Sequence, residues 1–558
     1  MRVWTWASAV TLLATVSCGG AETEKKVSAT NPEGNPVSDT LVVGYISDIG
    51  NLISVVSETA ADSDIMGNLS FGLVQSEFDC KLIYSPAMAK SWEWSEDGTV
   101  ITMKLRNDIL WDDGTPLSAH DLEFSYELVA DPKVASARLG YVEYLKEGKR
   151  PLIIDDETIE WHFTHAYDRT TQLAHASSVA ALPKHILKDA DRASLRTHPL
   201  SKEPMSNGPW KMTAWEPNQR IVLEPNDKFT GPDDFKPYLK KVIFKIIPEY
   251  STRMLELESG KIDMMQSILV VDADRLRKEH PEIDLVRRGY RSMDYMAWNL
   301  TNPLFSDKKV RQALAHAVDI EGMMGKLLKS DTGEVYGTRA TGTLTPELCD
   351  IRNDDMAVFD HNMDKAKRML AEAGWTDTNG DGLLDKDGKD FSFTLATNSG
   401  NARRAEIQVL IQAALKDIGI HAELETIESN AFFENLRKRD FEAAVAGWSA
   451  GLFVDPSSIW GADTPEKRNE FNFTSYNNPE VDALIKQGLA TPDPAEAAPI
   501  WREMQAKIYE DQPYMFLWWM DEIIAINNRF EDYEINLLSP LNNLQRWKVQ
   551  PENVKYKR

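Results

Sequence analysis

The segment Gly447-Trp448-Ser449-Ala450-Gly451 fits the G-x-S-x-G pattern of a hydrolase, with Ser449 in the position of the nucleophile. In that motif a helix begins directly after the serine, and a histidine further along the chain serves as its base. Here Asp455-Pro456 interrupts the following segment, and all ten histidines precede Ser449, the last being His421. The pattern therefore does not predict a catalytic serine, and we expect no enzymatic activity.

A second candidate is a calcium-binding loop between a predicted helix and the next strand. Oxygen-bearing side chains, which a hard cation requires, alternate at Asp377, Asn379, Asp381 and Asp385. The twelfth position, which is a bidentate Glu in such loops, is Gly388. A polar turn explains the same residues, and we favour the turn over the metal site.

Other patterns of metal or cofactor chemistry are absent from the sequence. There is no H-E-x-x-H, no Cys/His cluster and no Gly-rich phosphate loop with a Lys. His162 and His165 are three apart in a strand-like segment, so they point to opposite faces. We therefore expect no cofactor and no metal.

Two of the sixteen tryptophans stand out by position. Trp298 and Trp448 each close a predicted strand before a loop, and Asn299 follows the first of them. In α/β sheets, ligands bind beyond the carboxyl ends of strands, and a flat indole offers a large contact area. Both tryptophans are therefore candidates for a ligand pocket.

Strand-like and helix-like segments alternate from Leu41 onward, which indicates α/β units. The main predicted strands are Leu41–Ile46, Val100–Arg106, Thr158–Phe163, Ala422–Ile427 and Phe441–Ala446. The main predicted helices are one capped by Ser306 or Asp307, His361–Ala373, Ala402–Ile418 and Pro499–Tyr509. The second half is thus a run of helix–strand units without an obvious internal repeat.

Composition excludes several classes of protein. The 558 residues carry 62 Lys and Arg against 87 Asp and Glu, so the formal charge is 62 − 87 = −25. This acidity argues against nucleic acid and against adhesion to anionic lipid. Three Cys exclude a disulfide scaffold, and beyond the N-terminus no apolar run approaches the ~18 residues that span a bilayer. We expect a large, acidic, soluble chain of two to four domains.

The first forty residues are typical of a targeting segment and not of a folded domain. Arg2, an apolar stretch and then small residues form an export signal over residues 1–17. Cys18 follows directly and resembles the lipidated Cys of bacterial lipoproteins, although Thr15 stands where that family prefers Leu. The stretch 18–40 is polar and aperiodic, which predicts a lipidated N-terminus with a flexible tether. Ordinary secretion with cleavage near Ala21 is the alternative.

Several longer motifs resemble one family, the extracytoplasmic solute-binding proteins, family 5, of peptide and nickel ABC transporters. They occur in the family's order: Ala89 to Thr99 with Trp111 to Leu122, the loop Ser206-Asn207-Gly208-Pro209-Trp210, Ser259 to Asp263, Val310 to Asp319 and Tyr476 to Asp482. The resemblance covers roughly Leu41 to Asn527, which is nearly all of the body.

The resemblance implies an α/β, two-lobed periplasmic binding protein fold of the large type II, with an extra subdomain in lobe one. Lobe one would take residues 41–76, 199–290 and 526–558, the extra subdomain 77–198 and lobe two 291–525. The chain would cross between lobes near 288–294 and return near 521–527. A ligand would lie between Asn207 and Gly208 on lobe one and Trp298, Asn299, Trp448 and Ser449 on lobe two.

By the same resemblance, the chain is the monomeric, lipid-anchored receptor of an ABC importer, outside the cytoplasm in the periplasm or at the cell surface. It would close around a solute and deliver it to a membrane permease, and thus indirectly to an ATPase. A peptide is the first expectation, and an oligosaccharide or another solute is the alternative.

One departure bears on the ligand. Oligopeptide binders of the family carry an Asp that pairs with the peptide's α-amine, and Gly451 stands in its place, with Asp455 four residues further on. A buried ammonium without a partner is costly, so free-amine peptides are in doubt. Cys80 and Cys349 are expected in different lobes. A disulfide between them would prevent the two lobes from opening, so we expect two separate thiols.

Overall fold

The computed structural model describes residues 29–30, 36–57, 59–136, 138–353, 355–399, 401–462 and 471–549. The predicted export signal and Cys18 lie outside these ranges, as does most of the predicted tether. In the part of the chain that is described, no helix combines the length and the apolar character needed to cross a bilayer.

The strands of the first half of the chain are β1 (Ala29–Thr30), β2 (Pro36–Tyr45), β3 (Val74–Phe78), β4 (Leu82–Pro86), β5 (Ala89–Trp94), β6 (Val100–Leu105), β7 (Leu152–Asp155), β8 (Thr158–His162), β9 (Trp210–Glu216), β10 (Arg220–Pro225), β11 (Leu239–Ile246) and β12 (Met264–Met265). Those that follow are β13 (Ile283–Trp298), β14 (Gly337–Arg339), β15 (Asp385–Lys386), β16 (Lys389–Asp390), β17 (Ser392–Asn398), β18 (His421–Ile427), β19 (Ala443–Ser449), β20 (Tyr514–Asn527), β21 (Phe530–Glu531) and β22 (Lys548–Val549).

The helices of the first half are α1 (Ala60–Leu69), α2 (Ala119–Ala130), α3 (Leu139–Val142), α4 (Arg169–Ala176), α5 (Lys184–Leu187), α6 (Tyr250–Glu258) and α7 (Val270–Glu279). Those that follow are α8 (Lys308–Ala317), α9 (Ile320–Leu327), α10 (Met363–Glu372), α11 (Ala402–Lys416), α12 (Ser429–Lys438), α13 (Ser457–Trp460), α14 (Pro479–Leu489) and α15 (Pro494–Asp511).

Local sequence explains where the main helices begin. Asp307 accepts a hydrogen bond from the Lys309 amide at 2.8 Å and caps α8, as predicted. Helix α15 begins earlier than the predicted Pro499, because Asp493 caps it and Pro494 occupies its first position. The strand predicted from Leu41 begins at Pro36, because residues before Leu41 already pair with β11.

A twelve-stranded sheet runs through both lobes in the order β18-β17-β19-β13-β20-β12-β2-β11-β10-β9, with β1 beside β2 and β14 beside β20. Strands β2, β11 and β12 are parallel in lobe one, and β17, β18 and β19 are parallel in lobe two. The long antiparallel pair β13 and β20 belongs to both lobes. Buried apolar cores cover both faces of the sheet in each lobe.

The extra subdomain has its own four-stranded antiparallel sheet in the order β5-β6-β8-β7. Its core is continuous with buried side chains of the loop around Ile53 and with Phe229 and Phe235 of lobe one. Just before this sheet, β3 and β4 form a separate two-stranded hairpin. The hairpin is the element that reaches toward the other lobe.

Candidate functional site

The two lobes meet at the crossing strands β13 and β20. Their ladder is irregular between Gly289 and Met293, whereas residues 283–289 pair regularly with 521–527 on the lobe-one side. An irregular ladder is the place at which two paired strands can change direction, so this point is the candidate hinge.

Two ion pairs hold the crossing strands together. Arg287 Nε donates to Asp521 Oδ2 at 2.6 Å, and Arg288 Nε donates to Glu522 Oε2 at 2.7 Å. The Arg288–Glu522 pair is the more buried, with side chains 11% and 7% exposed. Removing one partner of a buried pair leaves an uncompensated charge, so this contact fixes the strands on the lobe-one side of the hinge.

A loop of lobe two packs directly against the hinge. A Cβ built on Gly289 would lie 2.1 Å from Oε1 of Glu347, so the carboxylate rests on the glycine. Burial raises the pKa of the Glu347 carboxyl, and the nearby Asp521 raises it further. The residues that follow Glu347 are therefore held close to the crossing strands.

A disulfide joins the lobes beside this loop. Cys80, in the turn of the β3–β4 hairpin, bonds to Cys349 with 4.9 Å between the Cα atoms. Lys81 Nζ lies 3.1 Å from Asp350 Oδ2, and Phe78 packs on the lobe-two core. The prediction of two separate thiols was wrong. It treated the lobes as rigid blocks, whereas the hairpin extends from lobe one until its tip contacts lobe two.

A third contact between the lobes involves Tyr144, which follows α3, and His175 in α4 of the extra subdomain. The Tyr144 hydroxyl donates to Asp455 on lobe two, and Asp455 also accepts from the Ser457 amide at 3.0 Å. The His175 ring stacks on Tyr144 with 3.7 Å between centroids, and it meets Phe453 edge-on at 5.4 Å. The lobes are thus closed against each other at this edge as well.

His175 is unusual within that contact. It is 3% exposed, and neither ring nitrogen has a hydrogen-bond partner among the described residues. Burial lowers the pKa of His175 to about 4, although the Asp455 carboxylate opposes the shift. The closed contact therefore holds a neutral imidazole.

A cavity of about 490 Å³ opens in lobe one beside the hairpin base. Its lining is rich in hydroxyl and amide side chains, among them Ser63, Asn68, Gln75, Ser177, Asn542 and Asn543. Its charged members are already engaged. Tyr45 donates to Asp64, whose carboxyl pKa is raised by burial, and Arg138 Nε donates to the Ser54 carbonyl at 2.6 Å. The wall therefore offers neutral hydrogen-bonding groups.

On lobe two, Trp448 stands near the end of β19, close to the hinge. Its indole lies between the rings of Tyr295 and Phe473, at centroid distances of 6.1 and 5.1 Å, and its Nε1 donates to the Tyr514 hydroxyl at 3.3 Å. The side chain is half-buried, and the neighbouring Ser449 is exposed. The two predicted site residues stand at the same end of β19, but as consecutive residues of a strand they point their side chains to opposite faces of the sheet.

The structure does not bring Trp298 and Asn299 to that end of β19. Strands β13 and β19 are antiparallel, with Trp298 opposite Ala443 and Met293 opposite Trp448. The carboxyl end of β13 therefore lies beside the amino end of β19, and the two tryptophans stand at opposite ends of the strand pair. Trp298 is 0% exposed and packs on Phe305. Asn299 Nδ2 donates to the Arg439 and Phe441 carbonyls at 3.0 and 2.8 Å.

Asn207 and Gly208 lie behind the lobe-one cavity. Asn207 Oδ1 accepts from the Phe71 amide at 2.7 Å, and Asn207 is 1% exposed. A Cβ on Gly208 would lie 2.7 Å from the Leu69 carbonyl oxygen, so the glycine serves a close approach of two backbone segments. In this closed structure both residues support the wall formed by α1 and the segment after it.

Ser449 lacks the surroundings of a hydrolase nucleophile, and the carboxylates of the loop 377–385 bind groups of their own loop. After Ser449 the next helix, α13, begins only at Ser457, so the strand–serine–helix geometry of a hydrolase is not formed. In the loop 377–385, Asp377 accepts from the Gly380 and Gly382 amides at 2.6 and 3.0 Å, and Asp385 accepts from Thr378. No metal-binding group of three or more His, Cys, Asp or Glu occurs in the ranges that the structure covers.

Sequence reasoning missed Tyr144, His175 and Phe453. Tyr144 and Asp455 are 311 residues apart, and no motif marks either of them as partners.

Comparison with known proteins places these features in context. The family model for bacterial extracellular solute-binding proteins, family 5, matches residues 84–470. The chain is 34% identical over 536 residues to the oligopeptide-binding protein AppA of Bacillus subtilis, covering 95% of each chain. It is 27% identical over 498 residues to the periplasmic oligopeptide-binding protein OppA of Salmonella typhimurium, covering 86% of this chain and 87% of the other. The structure of Bacillus subtilis AppA in complex with a nonapeptide superposes with a TM-score of 0.73 at 32% identity, covering 92% of this chain and 99% of that one.

Proposed function

Because the chain belongs to family 5 of the bacterial extracellular solute-binding proteins, we propose that it captures a peptide between its lobes and presents it to an ABC importer. Hinge closure around a ligand is the behaviour of periplasmic binding proteins as a class. The observation that carries the proposal is the set of contacts by which the lobes close on each other, above all Tyr144 with Asp455. A relative 32% identical over nearly its whole length holds a nonapeptide in its solved structure.

The ligand lies between the neutral polar wall of lobe one and the end of β19 at Trp448 and Ser449. Hydroxyl and amide groups can pair with peptide N–H and C=O groups whatever the side chains are, whereas the indole gives apolar contact. A ligand that contacts both walls only in the closed state favours closure by that difference in affinity. The cognate permease then reads the closed form.

The amine end of the peptide is the point at which this chain departs from its family. Gly451 is exposed and carries no carboxylate, and Asp455 is occupied by Tyr144 and Ser457. A peptide with a blocked or modified amine therefore suits the cleft better than a free ammonium. An oligosaccharide, the alternative, is less suited, because a sugar would stack on an indole face and the rings of Tyr295 and Phe473 cover both faces of Trp448.

The direct test is to identify by mass spectrometry what co-purifies with the protein from its native host. Synthetic peptides of that length, with free and with acetylated amines, would then be compared by thermal shift. A ligand at a hundredfold excess over Kd stabilises by about 2.7 kcal/mol. Co-purified glycans with no peptide, and no thermal shift with either peptide series, would reject the peptide and favour the sugar.

The proposal includes three further parts. The chain is anchored outside the cytoplasm through lipidated Cys18, it acts as a monomer, and it has no intrinsic hydrolase activity. Ser449→Ala should therefore leave any background esterase or peptidase signal unchanged. A reproducible loss of such a signal in that variant would contradict the last part.

A further inference from the structure

We propose that the Cys80–Cys349 disulfide is a third connection of the hinge, which confines opening of the cleft to one rotation and leaves the Tyr144–Asp455 edge as its mouth. This inference rests on the proposed function, because it assumes that the lobes open and close. The inference gives the disulfide a role in guiding the opening of the lobes, whereas a bond between two lobes would otherwise be expected to prevent opening.

The first step is the anchoring of the hairpin at both of its ends. At the base, the Met88 amide donates to the Gly72 carbonyl at 3.2 Å, and Gln75 Nε2 donates to Asn543 Oδ1 at 2.6 Å, so the base belongs to lobe one. At the tip, Phe78 packs on the lobe-two core and Cys80 is covalently bound to Cys349. The tip must therefore follow lobe two while the base stays with lobe one.

The second step is the distance of the bond from the hinge. Glu347 rests on Gly289 of the crossing strand, and the Cys349 Sγ lies 3.5 Å from the Glu347 carbonyl oxygen. Glu347 and Cys349 are two residues apart, and two residues of fully extended chain span at most about 7 Å. The disulfide is thus close to the crossing strands, and points close to a rotation axis move little when the lobes rotate.

The third step is the difference between the edges. The Tyr144–Asp455 edge is held by a hydrogen bond and ring contacts, which can break and re-form without the cleavage of a covalent bond. The disulfide edge is covalent and does not open. A hinge made of two crossing strands alone can twist as well as bend, but a third fixed point beside them removes the twist and leaves rotation toward the Tyr144–Asp455 side.

The first experiment maps the pairing in protein exported to an oxidising compartment, by peptide mapping without reduction. A linked peptide containing Cys80 and Cys349 is expected, and two free thiols would overturn the proposal. The second experiment compares this oxidised protein, free of ligand, with the Cys80→Ser/Cys349→Ser variant by hydrogen exchange and small-angle scattering.

In the oxidised protein we expect fast exchange around residues 141–145 and 450–457 and slow exchange in the hairpin at 76–84. In the double variant, exchange of the hairpin should rise at least tenfold and the scattering should show a broader range of sizes. If exchange and scattering are the same in both proteins, the bond is no constraint. If residues 141–145 are protected until a dithiol reductant is added, the bond is a lock. Either result would overturn the proposal.

A matched control places a cross-link at the other edge. Tyr144→Cys with Asp455→Cys, made in the Cys80→Ser/Cys349→Ser background and joined by a bifunctional maleimide, should hold the ligand-free protein compact. A cross-linked control as open as the oxidised wild type would mean that this edge is not the mouth. All of these measurements use ligand-free protein, so they can fail while peptide binding succeeds, and the reverse.

Discussion

The imidazole of His175 stacks on the phenol of Tyr144 with 3.7 Å between ring centroids, at the contact where the extra subdomain meets lobe two. Tyr144 in turn donates to Asp455 across the lobe boundary. A buried neutral histidine and a hydrogen bond between lobes therefore share one small contact. Because Phe453 and Asp455 of lobe two form part of the surroundings of the imidazole, we expect closure to desolvate it further and the contact to depend on pH.

Peptide binding should weaken as the pH falls below 6.5. The pKa of His175 is about 4 in the closed state and returns toward its ordinary 6.5 when the lobes separate, so below pH 6.5 the open state binds more protons. Closure is favoured above pH 6.5 and is lost progressively down to about pH 4. We expect affinity for the co-purified peptide to be about tenfold weaker at pH 5.5 than at pH 7.5, measured by calorimetry.

The control for this pH dependence is His175→Phe, which keeps a stacked ring without a titratable group. Tyr144, Tyr141 and Asp455 also face the imidazole and remain in that variant. The variant should show a flat profile between pH 5.5 and 7.5, while His165→Gln, at an exposed position, should keep the wild-type profile. An unchanged slope in His175→Phe would assign the effect to another group.

Tyr144→Phe should accelerate peptide release without unfolding the protein. The variant loses the hydroxyl that donates to Asp455 but keeps the ring that stacks on His175. A hydrogen bond to a charged group is worth about 1.5–3 kcal/mol, so dissociation should be at least tenfold faster in stopped-flow measurements at pH 7.5. Tyr141→Phe, beside the same His175, is the matched variant and should behave as the wild type. Equal rates in all three proteins would remove this edge from the mechanism.

Trp448 and Trp298 should respond oppositely to replacement by Phe. At Trp448 the change keeps an aromatic ring between Tyr295 and Phe473 but removes part of the exposed indole edge that a ligand can contact, so the peptide-induced rise in Tm should fall. Trp298 is fully buried, so there the change should reduce the free energy of unfolding by about 1–3 kcal/mol and lower the Tm of the free protein. The ligand-induced rise in Tm should stay intact. Differential scanning fluorimetry checks both, and the reverse pattern would place the ligand beside Trp298.

Gly208→Ala should destabilise lobe one by about 1–3 kcal/mol or more. The added Cβ would lie 2.7 Å from the Leu69 carbonyl oxygen, and backbone cannot move aside as a flexible side chain can. Gly325→Ala, in helix α9, meets nothing within 4 Å and should be neutral or stabilising. Urea unfolding of the two variants gives the comparison. Equal stability would show that the loop at Gly208 relaxes freely.

Cys18→Ser should release the protein from membranes into the soluble fraction. Two or more acyl chains anchor a protein stably, whereas an unlipidated acidic chain has little attraction to anionic lipid. Fractionation after a high-salt wash and metabolic labelling with a fatty acid provide the measurement. Retention of the unlabelled variant in the washed membranes would show that another segment provides the anchor.

The sequence alone was enough for the family, the fold class and the nine main helices and strands that it predicted. Alternating apolar positions in Val100–Leu105 and the helical spacing in Ala402–Lys416 depend on neighbours in the chain, and the structure confirms both segments. The capping role of Asp307 was equally local. The family could be identified for the same reason, because each of its motifs consists of a few consecutive residues.

Tertiary structure decided which residues meet. Trp298 and Trp448 both lie near the end of a strand, but the antiparallel pairing of β13 and β19 places them at opposite ends of the strand pair. No local pattern in the sequence indicates the direction of a partner strand that is distant in the chain. Cys80 and Cys349 are separated by 269 residues, and their bond depends on how far a hairpin extends. Local spacing determines the elements because their periodicity is set by the backbone. Contacts between the lobes arise only when packing brings remote segments together, so the cleft was decided by the fold.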